Sequence, residues 1–393
     1  MDQVLYKLPK GWEWQTLDQV LEKTGNLNPL KDPDKLWNYI DISSIDRKKF
    51  IISNPKGILG KDAPSRAKKQ VQEGDVLFAT TRPGLKNIAL VKKEYHSPVA
   101  STGFCVLRAN SKILPAYLFN FITTDFVQNQ IKPFVGGASY PAITDNNLKK
   151  TLIPIPNIDE QKRIVQKLDA LVNRIDTAID YLLENLSDLK LMLASALYEA
   201  FHQEDNLTSI KDIFNVHNGR AYKKPELLDS GKYKVIRIQN LKGGENYYYS
   251  DLELSDNKYC EKGDLLFSWS GTPGTSFGAF IWSNEKAIYH YHIWKMEPKI
   301  EIAPRYAYWV LKELTEEAIA NARGVAGMLH ITKGTMESFV VSLPNIQEQK
   351  RLAQELDDLS NKSKSLQTEI TEKIDALQSL KASILDSAFK GEL

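Results

Sequence analysis

His290 and His292 lie two residues apart in YHYHIW, which on a β-strand puts both imidazoles on one face, where they could begin a metal site. No third ligand follows at turn or helix spacing, so a polar sheet face or a DNA-facing strand is the better reading. Asp75 and Asp264 each close a Gly-Asp pair ahead of an apolar run, in EGDVLF and KGDLLF, and carboxylates so placed could serve a nuclease. No further carboxylate and lysine follow at short, matching spacing in both places, which favours a turn role. Cys105 and Cys260 are the two cysteines, too few for a disulfide framework or a four-cysteine zinc site, and they fit a reducing compartment. Gly271, Gly274 and Gly278 are loosely spaced around Pro273 and suit a flexible loop better than a cofactor cradle. The chain has no Gly-rich loop followed by Lys and Ser or Thr, and no GxGxxG after a strand. Nor has it an Asn-Pro-Pro or Asp-Pro-Pro ahead of an aromatic residue. A self-contained enzyme has little support.

The elements that must position such residues are set out by a repeat. Residues 156–163 read PNIDEQKR and residues 344–351 read PNIQEQKR, seven of eight identical at an offset of 188. The match continues at that offset, so that Ala194, Ser195, Leu197, Ala200 and Phe201 fall on Ala382, Ser383, Leu385, Ala388 and Phe389. Each copy carries apolar residues at alternating steps of four and three. The first runs from Ile164 through Leu168, Leu171 and Ile175 to Leu189, Met192 and Ala196; the second runs from Leu352 through Leu356 and Leu359 to Leu377, Leu380 and Ile384. This is a coiled-coil seam in a helix of roughly 60 Å. Asn185, Ser363 and Lys373 interrupt it, as register-fixing polar residues do. Asn157 and Asn345 are placed to cap the two starts.

The segments before the repeats match more faintly. EGDVLFATTRPG lies opposite KGDLLFSWSGTPG, ILPAYLFNFI opposite EIAPRYAYWVLK, GGASYPAIT opposite GVAGMLHIT, and NYIDISSI opposite KVIRIQNL. Short strands are expected at VLFAT, NIALV, FCVLR, KVIRI, DLLFSW and AFIW, and helices at 115–130 and 304–322. The 393 residues, 42% hydrophobic and 25% charged, have the balance of a folded protein with more than one domain. Lys plus Arg total 51 against 49 Asp plus Glu, a net charge of +2, which leaves room for a local basic groove only. No signal-like apolar core opens MDQVLYKLPKGWEW and no run reaches membrane-spanning length, so a cytoplasmic protein away from the membrane is expected.

Two mixed segments, each followed by a helix beginning PNIxEQKR and ending in an SAF-type pattern (ALYEAF, ILDSAFKGEL), resemble the specificity subunit of type I restriction–modification systems over essentially the whole chain. The opening LPKGWEW and the EGDVLF and KGDLLF strands strengthen the likeness. The resemblance implies an α+β protein: two similar α/β target-recognition domains separated by two long antiparallel coiled-coil helices, with an internal pseudo-two-fold repeat. The domains are expected at 1–155 and 204–343, and the spacer and docking helices at 156–203 and 344–393. It further implies a non-catalytic subunit that reads a bipartite, asymmetric sequence in double-stranded DNA. Its partners would be two methyltransferase subunits, which bring S-adenosylmethionine and methylate adenine, and restriction/translocase subunits, which bring ATP and magnesium. This chain itself would hold no cofactor and no metal. A related system with nuclease and methyltransferase fused in one partner fits nearly as well. A coiled-coil scaffold whose α/β domains bind protein or RNA is the reading from a different class.

Under that resemblance the loops nominate DNA contacts by residue type. In the first domain these are Arg66, Lys68 and Lys69 for phosphate, Thr80, Thr81, Arg82 and Lys86 in the Gly-Pro loop, and Ser139 and Tyr140 in GGASYP. In the second they are Arg220, Tyr222, Lys223 and Lys224, then Trp269, Ser270 and Thr272, then Arg323 and His330. The competing reading is a solvated charge for Lys and Arg, and a packed core residue for Trp269 and Tyr140. Glu160, Gln161, Lys162 and Arg163, with Glu348, Gln349, Lys350 and Arg351, recur in both helix starts and are candidates for partner docking. Capping and ion pairing at the helix start is the competing duty.

Overall fold

A computed structural model describes residues 5–137, 139–202, 206–272, 274–325 and 328–393. The expected boundary at 203/204 lies outside the described residues, as does Pro273. The chain divides into two compact units, one formed by 1–182 with 372–393 and the other by 183–371.

In the first unit the strand Val76–Ala79 lies between Phe104–Ala109 and Ile88–Leu90, with Leu21–Glu22 completing an antiparallel sheet of four. A second sheet runs Lys56–Leu59, Leu36–Ile40, Pro98–Ser101, Ala67–Gln70, and its central pair is parallel. Side chains of Val76–Ala79 alternate between two cores. Val76 and Phe78 meet Tyr117, Phe121, Ile164, Leu168 and Phe389. Leu77 and Ala79 meet Ile40, Ile52, Phe104 and Val106. Burial on both faces is why VLFA reads as an unbroken apolar run rather than an alternating one.

The second unit repeats the plan. Leu265–Ser268 lies between Ile293–Pro298 and Gly278–Ile281, with Phe214–Asn218 at the edge. The companion sheet runs Tyr248–Ser250, Tyr233–Ile236, Ala287–Tyr289, Tyr259–Cys260, again with a parallel central pair. Leu265 and Phe267 face Tyr306, Val310, Phe201 and Leu356, while Leu266 faces Ile236, Tyr289 and Trp282.

The expected helix at 304–322 is present as Pro304–Ala320. The one expected at 115–130 is split into Pro115–Ile122 and Asp125–Ile131. Between them the Thr123 and Thr124 hydroxyls donate to the Asn120 and Phe121 carbonyls at 2.8 and 2.7 Å, and this back-bonding ends the first helix.

The long helices are Ile158–Phe201 and Ile346–Lys390. Asn157 Oδ1 accepts the Glu160 amide at 2.9 Å, and Asn345 Oδ1 accepts the Gln347 and Glu348 amides at 3.1 Å, so both asparagines cap as expected. Each unit is closed by the start of one long helix and the end of the other, running antiparallel. In the first unit Arg163 donates to the Leu393 carbonyl at 2.7 Å, and further along Lys381 pairs with Asp176 at 2.7 Å. Phe389 sets its ring edge-to-face with Tyr117 and Phe121, both at 5.1 Å. In the second unit the repeat-related Phe201 packs on Tyr306 at 5.1 Å, and Ala200 shares a cleft with Leu352 and Leu356.

The seam differs from the expected register toward the helix ends. Met192 and Leu380 are 46% and 49% exposed, and their neighbours Leu193 and Lys381 turn inward instead. Lys373 is exposed while Ile374 is buried; Ser363 is buried as expected. A 3.6-residue turn drifts by about 20° per heptad from a strict 3.5 repeat, so the next residue along takes over the buried position.

Candidate nucleic-acid interface

Both units build one corner with the same backbone hydrogen bonds. It lies where the companion sheet hands the chain to the central sheet, after Pro98–Ser101 in the first unit and after Ala287–Tyr289 in the second. In the first, Thr80 N donates to the Gly103 carbonyl at 2.9 Å, and the Thr80 carbonyl accepts Ile143 N at 2.9 Å. In the second, Trp269 N donates to the His292 carbonyl at 3.2 Å, and the Trp269 carbonyl accepts Ile331 N at 3.1 Å. The amide of the middle corner residue is held by an arginine carbonyl in each: Thr102 by Arg66 at 2.9 Å, Tyr291 by Arg220 at 3.0 Å. Strand pairing therefore equates Ser101, Thr102 and Gly103 with His290, Tyr291 and His292.

The histidine pair is thus not on a strand. The Ile293 amide donates to the His290 carbonyl at 2.9 Å, closing a turn between Ala287–Tyr289 and Ile293–Pro298. The turn still brings the two rings to 5.1 Å. Asp75 and Asp264 are turn residues as expected. Their carboxylates accept the Gln72 and Glu261 amides, and each pairs with a cation, Arg108 and Lys295 respectively, at 2.7 Å.

Around the first corner the structure brings together Arg82 and Tyr140. Arg82 N donates to the Pro141 carbonyl at 2.6 Å, and its guanidinium lies 5.3 Å from the centre of the Tyr140 ring. Arg82 and Lys86 flank a short turn at φ +49° and +52°, the left-handed region that costs a non-glycine residue about 1 kcal/mol or more. Tyr140 is 72% exposed, which removes the packed-core reading for it. The Thr80 hydroxyl is spent on the Gly103 carbonyl, Lys86 pairs with Asp125 at 2.7 Å, and Lys69 pairs with Asp145 at 3.1 Å. Thr81 bridges to Ala142 and is half-buried, Ser139 is exposed in the same loop as Tyr140, and Arg66 and Lys68 are exposed.

Around the second corner Trp269 is a half-buried prop. Its indole N–H donates to the Tyr291 carbonyl at 2.7 Å and its ring stacks 5.8 Å from Trp294. Ser270 is buried in the short strand Ser270–Gly271, which pairs with Met328–His330. Arg220 is held by a two-pronged bond to Glu226 at 2.9 and 2.7 Å, and the Glu226 carboxyl is drawn down to about 2 by Arg220 and the Lys223 amide. Tyr222 lies under the Arg220 guanidinium, its hydroxyl buried and without a hydrogen-bond partner among the described residues. Lys223, Lys224 and Thr272 are exposed, and Arg323 and His330 sit opposite each other on paired strands, both exposed.

Sequence reasoning missed Arg237 and Lys242 as candidate contacts, and it read the histidine pair as a polar or DNA-facing strand where the structure has a turn. The usable signal was the faint match of IDISSI to IRIQNL, which places Arg237 opposite Asp41.

At the helix starts, two of the docking candidates are internal fasteners. Gln161 is fully buried; its Oε1 accepts the Leu114 amide at 2.9 Å, and its Nε2 donates to the Lys112 and Pro156 carbonyls at 2.9 and 3.0 Å. Gln349 does the same with the Ala303 amide and the Pro344 carbonyl, at 2.9 and 2.8 Å. Both lie on the helix face that meets the core, which is why they are unavailable. Glu160 with Arg163, and Glu348 with Arg351, form paired surface ions, and Lys162 and Lys350 are exposed.

The chain is a duplicated fold whose two units share one corner and differ in the side chains placed on it. The family model for the type I restriction modification DNA specificity domain matches twice, over residues 9–185 and 206–376. The chain is 24% identical to the EcoKI specificity subunit of Escherichia coli K12, covering 98% of this chain and 90% of that one. It is 22% identical to the StySPI specificity subunit of Salmonella potsdam over the same shares. Among solved structures it is similar to the HsdS subunit from Thermoanaerobacter tengcongensis, at TM-score 0.61 and 31% identity over the whole of both chains. It also matches a chain of a type I R-M system solved for its complex assembly and conformational transition, at TM-score 0.84 and 31% identity over 99% and 100% of the two chains. The chain belongs to the type I restriction–modification specificity subunits, and its function is DNA sequence specificity. No helix among the described residues is long and apolar enough to cross a membrane.

Proposed function

We propose that each unit reads one half of a bipartite, asymmetric target with its corner, Arg82 and Tyr140 leading in the first unit and the histidine turn in the second. The observation that supports this is the corner itself: one set of backbone hydrogen bonds in both units carries Ser-Thr-Gly in one and His-Tyr-His in the other. An unchanged frame with changed side chains is what two unlike half-sites require, since base edges are told apart by donor and acceptor pattern.

In this reading 1–155 and 204–343 read DNA, and 156–203 and 344–393 are spacer and docking helices. The exposed ends Glu160, Lys162 and Arg163, and Glu348, Lys350 and Arg351, receive two methyltransferase subunits. Those partners supply S-adenosylmethionine and transfer the methyl group to adenine, and the restriction subunits supply ATP and magnesium. This chain contributes binding and orientation and no catalytic group. A near-neutral subunit suffices because the partners supply many of the phosphate contacts.

The test is adenine methylation of a random-sequence library by the methyltransferase partner, with and without this chain. A split motif that appears only with the chain supports the reading, and methylation without sequence preference in its presence overturns it.

A further inference from the structure

The second corner opens on a groove of about 410 Å³ lined by Arg237, Gln239, Lys242, Ser276, His290 and His292. We propose that His290 and His292 read a base edge in the half-site of the second unit, while Arg237 and Lys242 hold the adjacent phosphate. This rests on the reading of the corner as the DNA-facing surface and names the contacts made there.

The two imidazoles are fixed in place without spending their ring nitrogens. His290 lies face to face with Tyr222 at 6.4 Å, and its amide donates to the Ile236 carbonyl at 2.9 Å. His292 stands edge-on to Trp269 at 5.4 Å, and the same indole ties down the intervening Tyr291 carbonyl. Neither imidazole has a side-chain hydrogen-bond partner among the described residues. Two rigid rings with unspent donors and acceptors facing a groove are preorganised for a ligand that presents both kinds of group.

Charge divides the labour. Burial, with His292 and Arg237 nearby, pushes the His290 imidazole down to about 4, and burial lowers His292 as well. Both are neutral at pH 7 and so give a phosphate little, whereas a neutral imidazole can donate to guanine N7 or O6, or accept from an exocyclic amine. The permanent charges lie beside them. The Arg237 guanidinium rests on the Tyr248 ring at 4.2 Å, and its Nη2 donates to the Asn246 carbonyl at 3.1 Å. Its Nε is buried and has no hydrogen-bond partner among the described residues. Lys242 is exposed.

The fold does not require these residues. The first unit has Asp41 in place of Arg237, and Ser101 and Gly103 in place of the histidines. Asp41 is turned to internal duty, bonding the Ser43 and Ser44 hydroxyls and Lys56. The aromatic, cationic groove therefore belongs to one recognition unit only, as a determinant of one half-site must.

The experiment uses the full chain assembled with its methyltransferase partner and reads the methylated motif together with the salt dependence of duplex binding. His290→Phe and His292→Phe keep the ring packing and remove the hydrogen bonds. They are expected to relax discrimination about tenfold at one or two positions of one half-site, leaving the other half, the gap and the salt slope unchanged. His292→Asn retains a donor and an acceptor and is expected to hold the wild-type preference within a few-fold. Lys242→Ala is expected to keep the motif, weaken binding to all sequences alike and lower the salt slope by about one. The proposal falls if the Phe variants keep the full motif, if they lower the salt slope instead, or if His292→Asn relaxes as far as His292→Phe. A wild-type complex that shows no motif overturns the underlying reading and is distinct from all of these.

Discussion

At the scale of residues, the two corners share one backbone arrangement and differ in the side chains it carries. Arg82 was legible as a candidate because arginine can pair with guanine, and Tyr140 because the small residues of its turn allow close approach; the structure sets the two side by side. The histidine pair was legible as a polar or DNA-facing pair but was placed on a strand, because the turn that aims it forms only when Ile293 closes back on His290. Gln161 and Gln349 show the converse. Identity between two repeats marks a shared duty, yet cannot say whether that duty is internal or external. Their internal role predicts that Gln161→Ala or Gln349→Ala strands a buried amide and carbonyl, at a cost of about 1–3 kcal/mol each. Denaturant midpoints measure this, and methyltransferase binding by the folded fraction is expected to be unchanged. The His290 ring gives a pH signature. Burial and the neighbouring His292 and Arg237 push it from the ordinary value of 6.5 down to about 4 in the folded chain. Between these values the unfolded chain takes up the extra proton, so the stabilisation is full above about 6.5 and is lost as the pH falls toward 4. Arg237 and His292 face this ring and add to the shift, and Tyr222 covers it. The thermal midpoint of the wild type should fall more between pH 7 and 5 than that of His290→Phe.

At the scale of elements, the strands and long helices follow from pattern. Apolar runs such as VLFA and LLFS are buried on both faces, and PN-capped heptads become helices of 44 and 45 residues. What the pattern missed was geometric. A helix at 3.6 residues per turn walks off a strict heptad, so Leu193 and Lys381 replace Met192 and Leu380, and Lys381 then finds Asp176. The break at Thr123–Thr124 was invisible because threonine in a helix is a neighbour-dependent choice between solvent and the preceding carbonyls. If the long helices set the gap between half-sites, inserting one seam-preserving heptad into each lengthens them by about 10 Å, or about three base pairs. The methylated motif is expected to gain that many unread positions with every read base unchanged. An unaltered gap would remove the spacer role.

At the scale of the whole molecule, the first unit is assembled from two stretches of chain far apart in sequence, while the second is one continuous stretch closed by its own two helix segments. The first unit needs Leu385, Ala388 and Phe389 to complete the core around Tyr117, and the second uses Phe201 against Tyr306. The duplication was legible from the repeat, because each half carries its own strands, turn signals and helix. The exchange of helix ends was not, since a periodic seam names a buried face without naming what covers it. The arrangement makes the two corners separable by mutation, and the central claim is best tested by methylome sequencing of three complexes. These are the wild type, Arg82→Ala, and the paired His290→Phe, His292→Phe variant, each with the methyltransferase partner. The account predicts a split adenine motif in which Arg82→Ala relaxes one half and the histidine variant relaxes only the other. Relaxation of the same half by both, or of neither, would contradict it.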